Sequence, residues 1–205
     1  SNAVMPGLRL PDTGLTHQHR YRLIEITLHR RQQLRAERAI DDAMIAGERH
    51  RHLAFEPHAA VLGFDRDATA PARFAGHAPA DLADRVRVNV VDLATAPPLP
   101  ACGLVHASFA LPYVGQAAFP AVWVRVVEAL RPGGWFVGQL FGVNDSFNDG
   151  SGDEAFLNAA EAAALFDGWR VHRWAEEDAD GPSFDGSKHW HVFHVVAQRP
   201  DSPAR

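Results

Sequence analysis

A chain of 205 residues with 46% apolar content is long enough to bury one sizeable core and too short for two comfortable domains. Its net charge of −5 gives no general attraction to nucleic acid, and its single cysteine, Cys102, excludes an internal disulfide framework and a cysteine-based zinc site. No apolar run approaches the roughly 18 residues of a membrane span and no signal-peptide pattern opens the chain, so we expect a cytoplasmic protein without membrane contact.

The first 58 residues are the least periodic part of the sequence. The stretch HQHRYRLIEITLHRRQQLRAERAI (17–40) is compatible with a helix, because four residues form a broken apolar stripe between arginines and histidines: Leu23, Ile24, Leu28 and Leu34. We therefore predict a partly helical N-terminal segment over residues 1–38, followed by one domain over residues 39–200.

Three short apolar runs follow. AAVLGFD (59–65) stops on Asp65, and RVRVNVVDL (85–93) alternates valines before it ends on Asp92. Both patterns predict strands, and GLVHASFAL (103–111) is a third apolar run after a proline-rich turn.

A helix and a further strand come next. The spacing of FPAVWVRVVEAL (119–130) gives one apolar stripe, made of Phe119, Val122, Trp123, Val126, Val127 and Leu130. The following RPGG stops this helix, and WFVGQLFG (135–142) then predicts a buried strand. Strand, helix and strand joined by short turns indicate a parallel crossover, and hence an α/β fold.

The last third of the chain predicts a capped helix and a hairpin. Asn158 lies three residues before Glu161, the spacing of a capping box. The runs WRVHRWAEE and HWHVFHVVAQ, joined by a polar, glycine-containing segment, predict an antiparallel pair. The predicted fold is therefore a mainly parallel sheet that ends in an antiparallel strand pair.

These motifs, in this order, resemble a known family. The strand ends at Asp65 and Asp92, the run ASFALPYV, the turn and strand LRPGGWFVGQLFG and the closing KHWHVFHVVAQRP are similar to class I S-adenosylmethionine-dependent methyltransferases, in particular small bacterial enzymes of the tellurite-resistance and thiopurine type. The resemblance spans roughly residues 59–199. It implies a Rossmann-like, doubly wound sheet, S-adenosylmethionine as cofactor and methyl transfer to a small-molecule acceptor.

The resemblance also implies site residues. The cofactor set is Asp41, Gly47, Asp65, Arg66, Asp92, Leu93, Ser108 and Phe109, and the acceptor pocket is Phe141, His189, Trp190 and His191. In the family's arrangement Asp65 binds the ribose, Asp92 with Leu93 borders the adenine, and the Ser108–Phe109 backbone lies by the methionine moiety. The alternative is that both aspartates only cap turns, as aspartates frequently do.

The loop expected to hold the cofactor departs from the family's pattern. In RAIDDAMIAGERH (38–50), Asp41 stands at the acid's position, but alanine and isoleucine precede Gly47 where the family has further glycines. Three accounts remain open: weak binding through a rearranged loop, a relative that has lost the cofactor, or an N-terminal third of foreign sequence. The first supports an enzyme, and the second a non-catalytic protein that binds a ligand or partner.

Histidines near the C-terminus raise two further questions. In KHWHVFH, strand alternation places His189 and His191 on one face and His194 on the other, so at most two could meet one ion and we expect no metal. His189 or His191 is a candidate to deprotonate an acceptor. No catalytic residue is assigned, because methyl transfer can proceed mainly by positioning.

The basic run HRRQQLRAER indicates a solvated helix face rather than a nucleic-acid contact.

Overall fold

The computed structural model of the protein describes residues 21–26, 60–75, 86–183 and 186–201. Within them the strands are β1 (Tyr21–Ile26), β2 (Ala60–Asp65), β3 (Val86–Val90), β4 (Cys102–Ala107), β5 (Leu130–Gly142), β6 (Phe156–Leu157), β7 (Arg170–Ser183) and β8 (Gly186–Gln198). The helices are α1 (Ala70–Ala75), α2 (Phe119–Ala129) and α3 (Ala159–Ala164), with short 3-10 turns at Leu93–Thr95 and Leu111–Val114. None of the described helices is long and apolar enough to cross a membrane.

One mixed sheet organises these elements. Its order is β3-β2-β1-β4-β5-β8-β7, with β6 beside β5. Strands β1 to β6 pair in parallel, whereas β8 is antiparallel to both β5 and β7. The predicted antiparallel pair at the end of the chain is confirmed, and its strands extend into the polar segment that was expected to join them. The winding of helices over both faces stays a prediction.

Strand β1 corrects the prediction made for the N-terminal segment, residues 1–38. The stretch over residues 17–40, whose pattern is compatible with a helix, instead forms a strand at Tyr21–Ile26, which pairs with β2 on one side and β4 on the other. Pairing on both edges outweighs a weak local helical pattern, because tertiary context routinely overrides propensity. The rest of that stretch lies outside the described residues.

The end of α2 also differs in detail from the prediction. The helix ends at Ala129, as the RPGG signal indicated, but the four residues of that signal belong to β5 rather than to a separate turn. The pairing with β4 shifts register there, and Gly133 takes a positive φ of 72°, which glycine tolerates without strain. The Arg199 side chain donates to the Val127 carbonyl over 2.8 Å and thereby satisfies one of the last helix carbonyls.

The buried apolar side chains of the described residues form two clusters. The predicted stripe of α2 faces the larger one, where the Trp123 ring lies 5.1 Å from Phe136 and 5.2 Å from Phe166, measured between centroids. The smaller one, here called the aromatic cluster, consists of Phe109, Phe141, Phe156, Trp190 and Val192. Alternation along β8 separates the two, since Phe193 and Val195 face the larger cluster.

Candidate functional site

The predicted site residues that the structure describes lie at or just beyond one edge of the sheet. Strands β2 to β5 run parallel to β1, so their carboxyl ends share this edge, where open α/β sheets bind ligands. Because β8 is antiparallel to β5 and places Val192 opposite Phe141, His191 lies at the end of β5 and the residues before it lie beyond that end. The sheet thereby brings residues of the cofactor and acceptor sets to the same edge.

Asp65 is the last residue of β2 and is buried. Its Oδ1 accepts a hydrogen bond from the Asp67 N–H over 2.8 Å, and its carbonyl accepts one from the Val91 N–H over 2.8 Å. The neighbouring Arg66 is exposed. The first bond is a local turn bond, so the capping role proposed as the alternative for Asp65 is present.

Asp92 caps a turn as well. Its Oδ1 accepts a hydrogen bond from the Ala94 N–H over 2.9 Å at the start of the 3-10 turn Leu93–Thr95, and the side chain is exposed while Leu93 is buried. A carboxylate has about four acceptor positions, so a turn bond at one oxygen is compatible with a ligand hydrogen bond at the other. The ligand roles of both aspartates stay predictions.

Two unusual features follow the end of β4. The Ser108 Oγ is buried and, among the described residues, has no hydrogen-bond partner. Phe109 has a φ of 50°, in the left-handed region that non-glycine residues seldom occupy, and its N–H donates to the Gln139 Oε1 over 3.1 Å. A buried hydroxyl without a partner costs free energy, so a hydrogen-bonding group of a ligand suits this position.

The aromatic cluster brings together residues predicted for the cofactor and acceptor sets. The Phe109 ring centroid lies 6.2 Å from that of Phe141 and 6.4 Å from that of Trp190. Tyr113, which the sequence did not suggest, lies edge-on to Phe141 at 5.5 Å. Its position in the short turn after β4 was the available signal, because such turns border ligands in open sheets.

His189 lies between two carboxylates of β7. Its Nε2 is 2.7 Å from the Asp178 Oδ1 and its Nδ1 is 2.9 Å from the Asp180 Oδ1. Both nitrogens donate when the ring is an imidazolium, and the hydrogen bonds to Asp178 first and Asp180 second raise the pKa of His189. The hydrogen bond from His189, followed by one from Asn144, lowers the pKa of Asp178.

His191 is buried and has both nitrogens engaged. The Asn144 N–H donates to its Nδ1 over 3.0 Å, so the neutral ring carries its proton on Nε2 and donates it to the Glu176 Oε1 at 2.9 Å. In this arrangement neither His189 nor His191 has a free ring-nitrogen lone pair that could take a proton from a methyl acceptor. A role as general base therefore requires one of these bonds to open.

A group of possible metal ligands occurs on the same hairpin. Glu176, Asp178 and His191 offer ligand atoms that all lie within 4.8 Å of one another. An ion at the Nε2 of His191 would have to displace the proton that the Asn144 contact places there, so hydrogen bonding suits this group better than metal coordination. His194 faces the other way, as alternation predicted, and its ring meets that of Phe109 at 6.4 Å.

Sequence reasoning missed one buried ion pair at this edge. Lys188 and Asp145 pair with side chains that are 6% and 0% exposed. The available signal was that Lys188 is the only lysine among 20 basic residues. The partner could not be inferred, because it lies 43 residues away in the loop after β5.

Two predicted cofactor residues, Asp41 and Gly47, lie outside the described residues. Comparison with models of protein families gives no match, and comparison with curated proteins gives none either.

Comparison with solved structures finds the same fold in proteins of low sequence identity. A SAM-dependent methyltransferase from Methanosarcina mazei aligns with a TM-score of 0.57 and 12% identity, covering 90% of this chain and 95% of that one. TehB from Haemophilus influenzae aligns at 0.56 and 10%, over 69% of this chain and 50% of that one. The N-methyltransferase NodS from Bradyrhizobium japonicum, in a structure that contains S-adenosyl-L-homocysteine, aligns at 0.56 and 14%, over 88% and 78%. The chain thus has the class I methyltransferase fold, as the resemblance implied.

Proposed function

We propose that the protein is an S-adenosylmethionine-dependent methyltransferase that acts on a small-molecule acceptor. Two features at one edge of a sheet of this order carry the proposal: a buried aspartate that ends β2, and, after β4, a buried hydroxyl that has no hydrogen-bond partner among the described residues. This edge is where open α/β sheets bind ligands. The proposal includes a doubly wound arrangement, with helices on both faces of the sheet.

The proposed cofactor contacts follow the order of the strands. Asp65 accepts hydrogen bonds from the ribose hydroxyls, Asp92 and Leu93 border the adenine, and Ser108 with Phe109 borders the methionine moiety. A buried acceptor such as Asp65 suits hydroxyl donors, since a charge-assisted bond is stronger away from water. Arg66, Asp41 and Gly47 complete the proposed set.

The proposed chemistry relies on positioning. The cofactor supplies a methyl group that its sulfonium already activates, so an acceptor held in line needs little further assistance. Phe141, Trp190, His189 and His191 form the proposed acceptor pocket. Because both histidines are engaged with carboxylates, we assign no general base, and acceptors that are nucleophilic without deprotonation fit this arrangement best.

The second candidate is a non-catalytic protein of the same fold that binds a ligand or partner. Two observations favour it: the engaged nitrogens of both histidines, and a loop between Asp41 and Gly47 that lacks most of the expected glycines. The two candidates differ in whether the chain binds the cofactor and transfers its methyl group.

Calorimetric titration with S-adenosylhomocysteine tests the proposal. We expect measurable binding that Asp65→Asn weakens about tenfold or more, since a hydrogen bond to a charged group contributes about 1.5–3 kcal/mol. Asp167→Asn makes the same chemical change at an exposed position after α3 and serves as the matched control. Absence of heat at millimolar ligand, with folding verified by circular dichroism, would contradict the proposal and favour the second candidate.

A further inference from the structure

A lysine is buried near the start of β8. Lys188 is the only lysine of the chain, and its side chain is 6% exposed. It forms an ion pair with Asp145, whose side chain is 0% exposed and which lies in the loop after β5. Removing two charges from water is costly, so a buried pair persists where further contacts stabilise it.

Aromatic rings provide those contacts for Lys188. Its Nζ lies 3.4 Å from the ring centroid of Phe147, 3.9 Å from that of Trp190 and 5.7 Å from that of Phe141. A cation within about 6 Å of a ring centroid is attracted by the negative face of the ring. The compact ammonium of Lys188 meets these rings and the Asp145 carboxylate together.

The walls around this ammonium are held by bonds that do not involve it. The Asp145 carboxylate accepts the Phe147 N–H over 2.9 Å and the His191 N–H over 3.2 Å. The Trp190 indole donates to the Pro182 carbonyl over 3.2 Å. Because each of these bonds has a main-chain partner, we expect the walls to keep their positions when the ammonium is removed.

We propose that Asp145, Phe147 and Trp190 form a binding site for an alkylammonium group, which the chain's own Lys188 occupies. The ligand class follows from the walls: the carboxylate requires a cation, and the two rings favour a compact cationic head on a short apolar stem. The Phe147 side, 39% exposed, is the side that borders solvent. This site does not depend on methyl transfer.

Chemical rescue of Lys188→Ala tests the site. The substitution removes Cγ, Cδ, Cε and the ammonium, which together match a propylammonium ion. We expect propylammonium chloride to raise the Tm of this variant by about 3 to 6 °C at ten times its Kd, and to raise it further with the logarithm of its concentration. Equal concentrations of sodium chloride or of neutral 1-propanol should not do so, and the occupied wild-type site should not respond.

Two matched variants distinguish the site from a general salt effect. Adding Asp145→Asn to Lys188→Ala should abolish the propylammonium effect. Arg125→Ala, which breaks the exposed ion pair with Glu128, should show no rise in Tm with propylammonium. A folded Lys188→Ala variant that propylammonium does not stabilise, or that 1-propanol stabilises equally, would overturn the proposal.

If Lys188→Ala does not fold, the wild-type protein tests whether Lys188 occupies the site, which the proposal requires. Isotopic labelling of lysine gives a single set of side-chain signals, because the chain has one lysine. We expect the Lys188 Hε signals to be shifted upfield by the ring currents of Phe147 and Trp190. Signals at the position of a solvent-exposed lysine would refute the occupied site.

Discussion

The hydrogen bonds of His189 to two carboxylates make the stability of the folded protein depend on pH. Its pKa is raised above the ordinary 6.5, chiefly by the hydrogen bond to Asp178 and then by that to Asp180. A histidine whose pKa is raised in the folded state stabilises that state fully below pH 6.5. This stabilisation is lost as pH rises through the raised pKa. Asp178, whose pKa is lowered, stabilises the folded protein above its ordinary pKa. This stabilisation is lost as pH falls through the lowered pKa.

We therefore expect His189→Gln to lower the free energy of unfolding at about pH 6, by an amount that shrinks toward about pH 9. Urea denaturation of both proteins across this range measures the difference. In an Asp178→Asn background the difference should shrink at a lower pH, because the largest cause of the raised pKa is gone. A difference that does not vary with pH would show that His189 is not charged in the folded protein.

Cys102 illustrates burial acting against reactivity. The side chain is 0% exposed, and burial raises the pKa of its thiol to about 12. Since the thiolate is the reactive form, we expect no reaction with a thiol reagent in the native protein and one equivalent after denaturation. Ser151→Cys, in the exposed loop after β5, should react at once and serves as the control. Rapid native labelling of Cys102 would contradict its burial.

At the scale of single residues, sequence reasoning suggested candidate site residues next to apolar runs. It missed the side-chain pairs that form between residues far apart in the chain. Asp65 and Ser108 were predicted to bind the cofactor because Asp65 ends one strand-like run and Ser108 lies in another, as part of a resemblance, and these roles stay predictions. The carboxylate partners of His189 depend on the register between β7 and β8, which places Asp180 opposite His189. The whole polar segment was expected to be the connection between the two strands, so this register, and with it the engagement of both ring nitrogens, was not predicted.

At the scale of elements, the capping box of α3 gives a direct test. The Asn158 side chain accepts the Glu161 N–H over 2.9 Å, and the Glu161 side chain accepts the Asn158 N–H over 2.8 Å. The predicted box is therefore confirmed. Asn158→Ala should lower the free energy of unfolding by about 1 kcal/mol.

Glu161→Gln provides the matched control for the cap, because glutamine also completes a capping box and should leave stability nearly unchanged. Thermal unfolding followed by circular dichroism measures both variants, and a loss of about 1 kcal/mol corresponds to about 2–4 °C in Tm for a domain of this size. Equal destabilisation by the two variants would show that the Asn158 side chain is not the dominant cap.

The elements that the sequence predicted well are those with clear periodicity. Helix α2 has one apolar stripe over three turns, and β2 is a short apolar run ending on an acid. Strand β1 was missed because arginine and glutamate interrupt YRLIEI and leucines beyond it extend an apparent helical stripe. Its strand character depends on two neighbours, β2 and β4, that lie far away in sequence.

At the scale of the whole molecule, the position of β1 determines which parts of the chain can fold together. In the sheet order, β1 separates β3-β2 from β4-β5-β8-β7. Removing it leaves two groups of strands without the strand that joins them, each with an unpaired edge. Unpaired edges expose main-chain donors and acceptors and promote aggregation.

A fragment of residues 39–205 matches the domain division expected from the sequence, yet it lacks β1. We expect it to be largely unfolded or aggregated, with no cooperative thermal transition, because its main-chain groups on β2 and β4 lose their partners. A fragment of residues 19–205 retains Tyr21–Ile26 and should keep a cooperative transition near that of the full chain. Differential scanning calorimetry compares the two. If the shorter fragment unfolds with the same Tm and enthalpy as the full chain, the sheet is complete without Tyr21–Ile26 and the division at residue 38 stands.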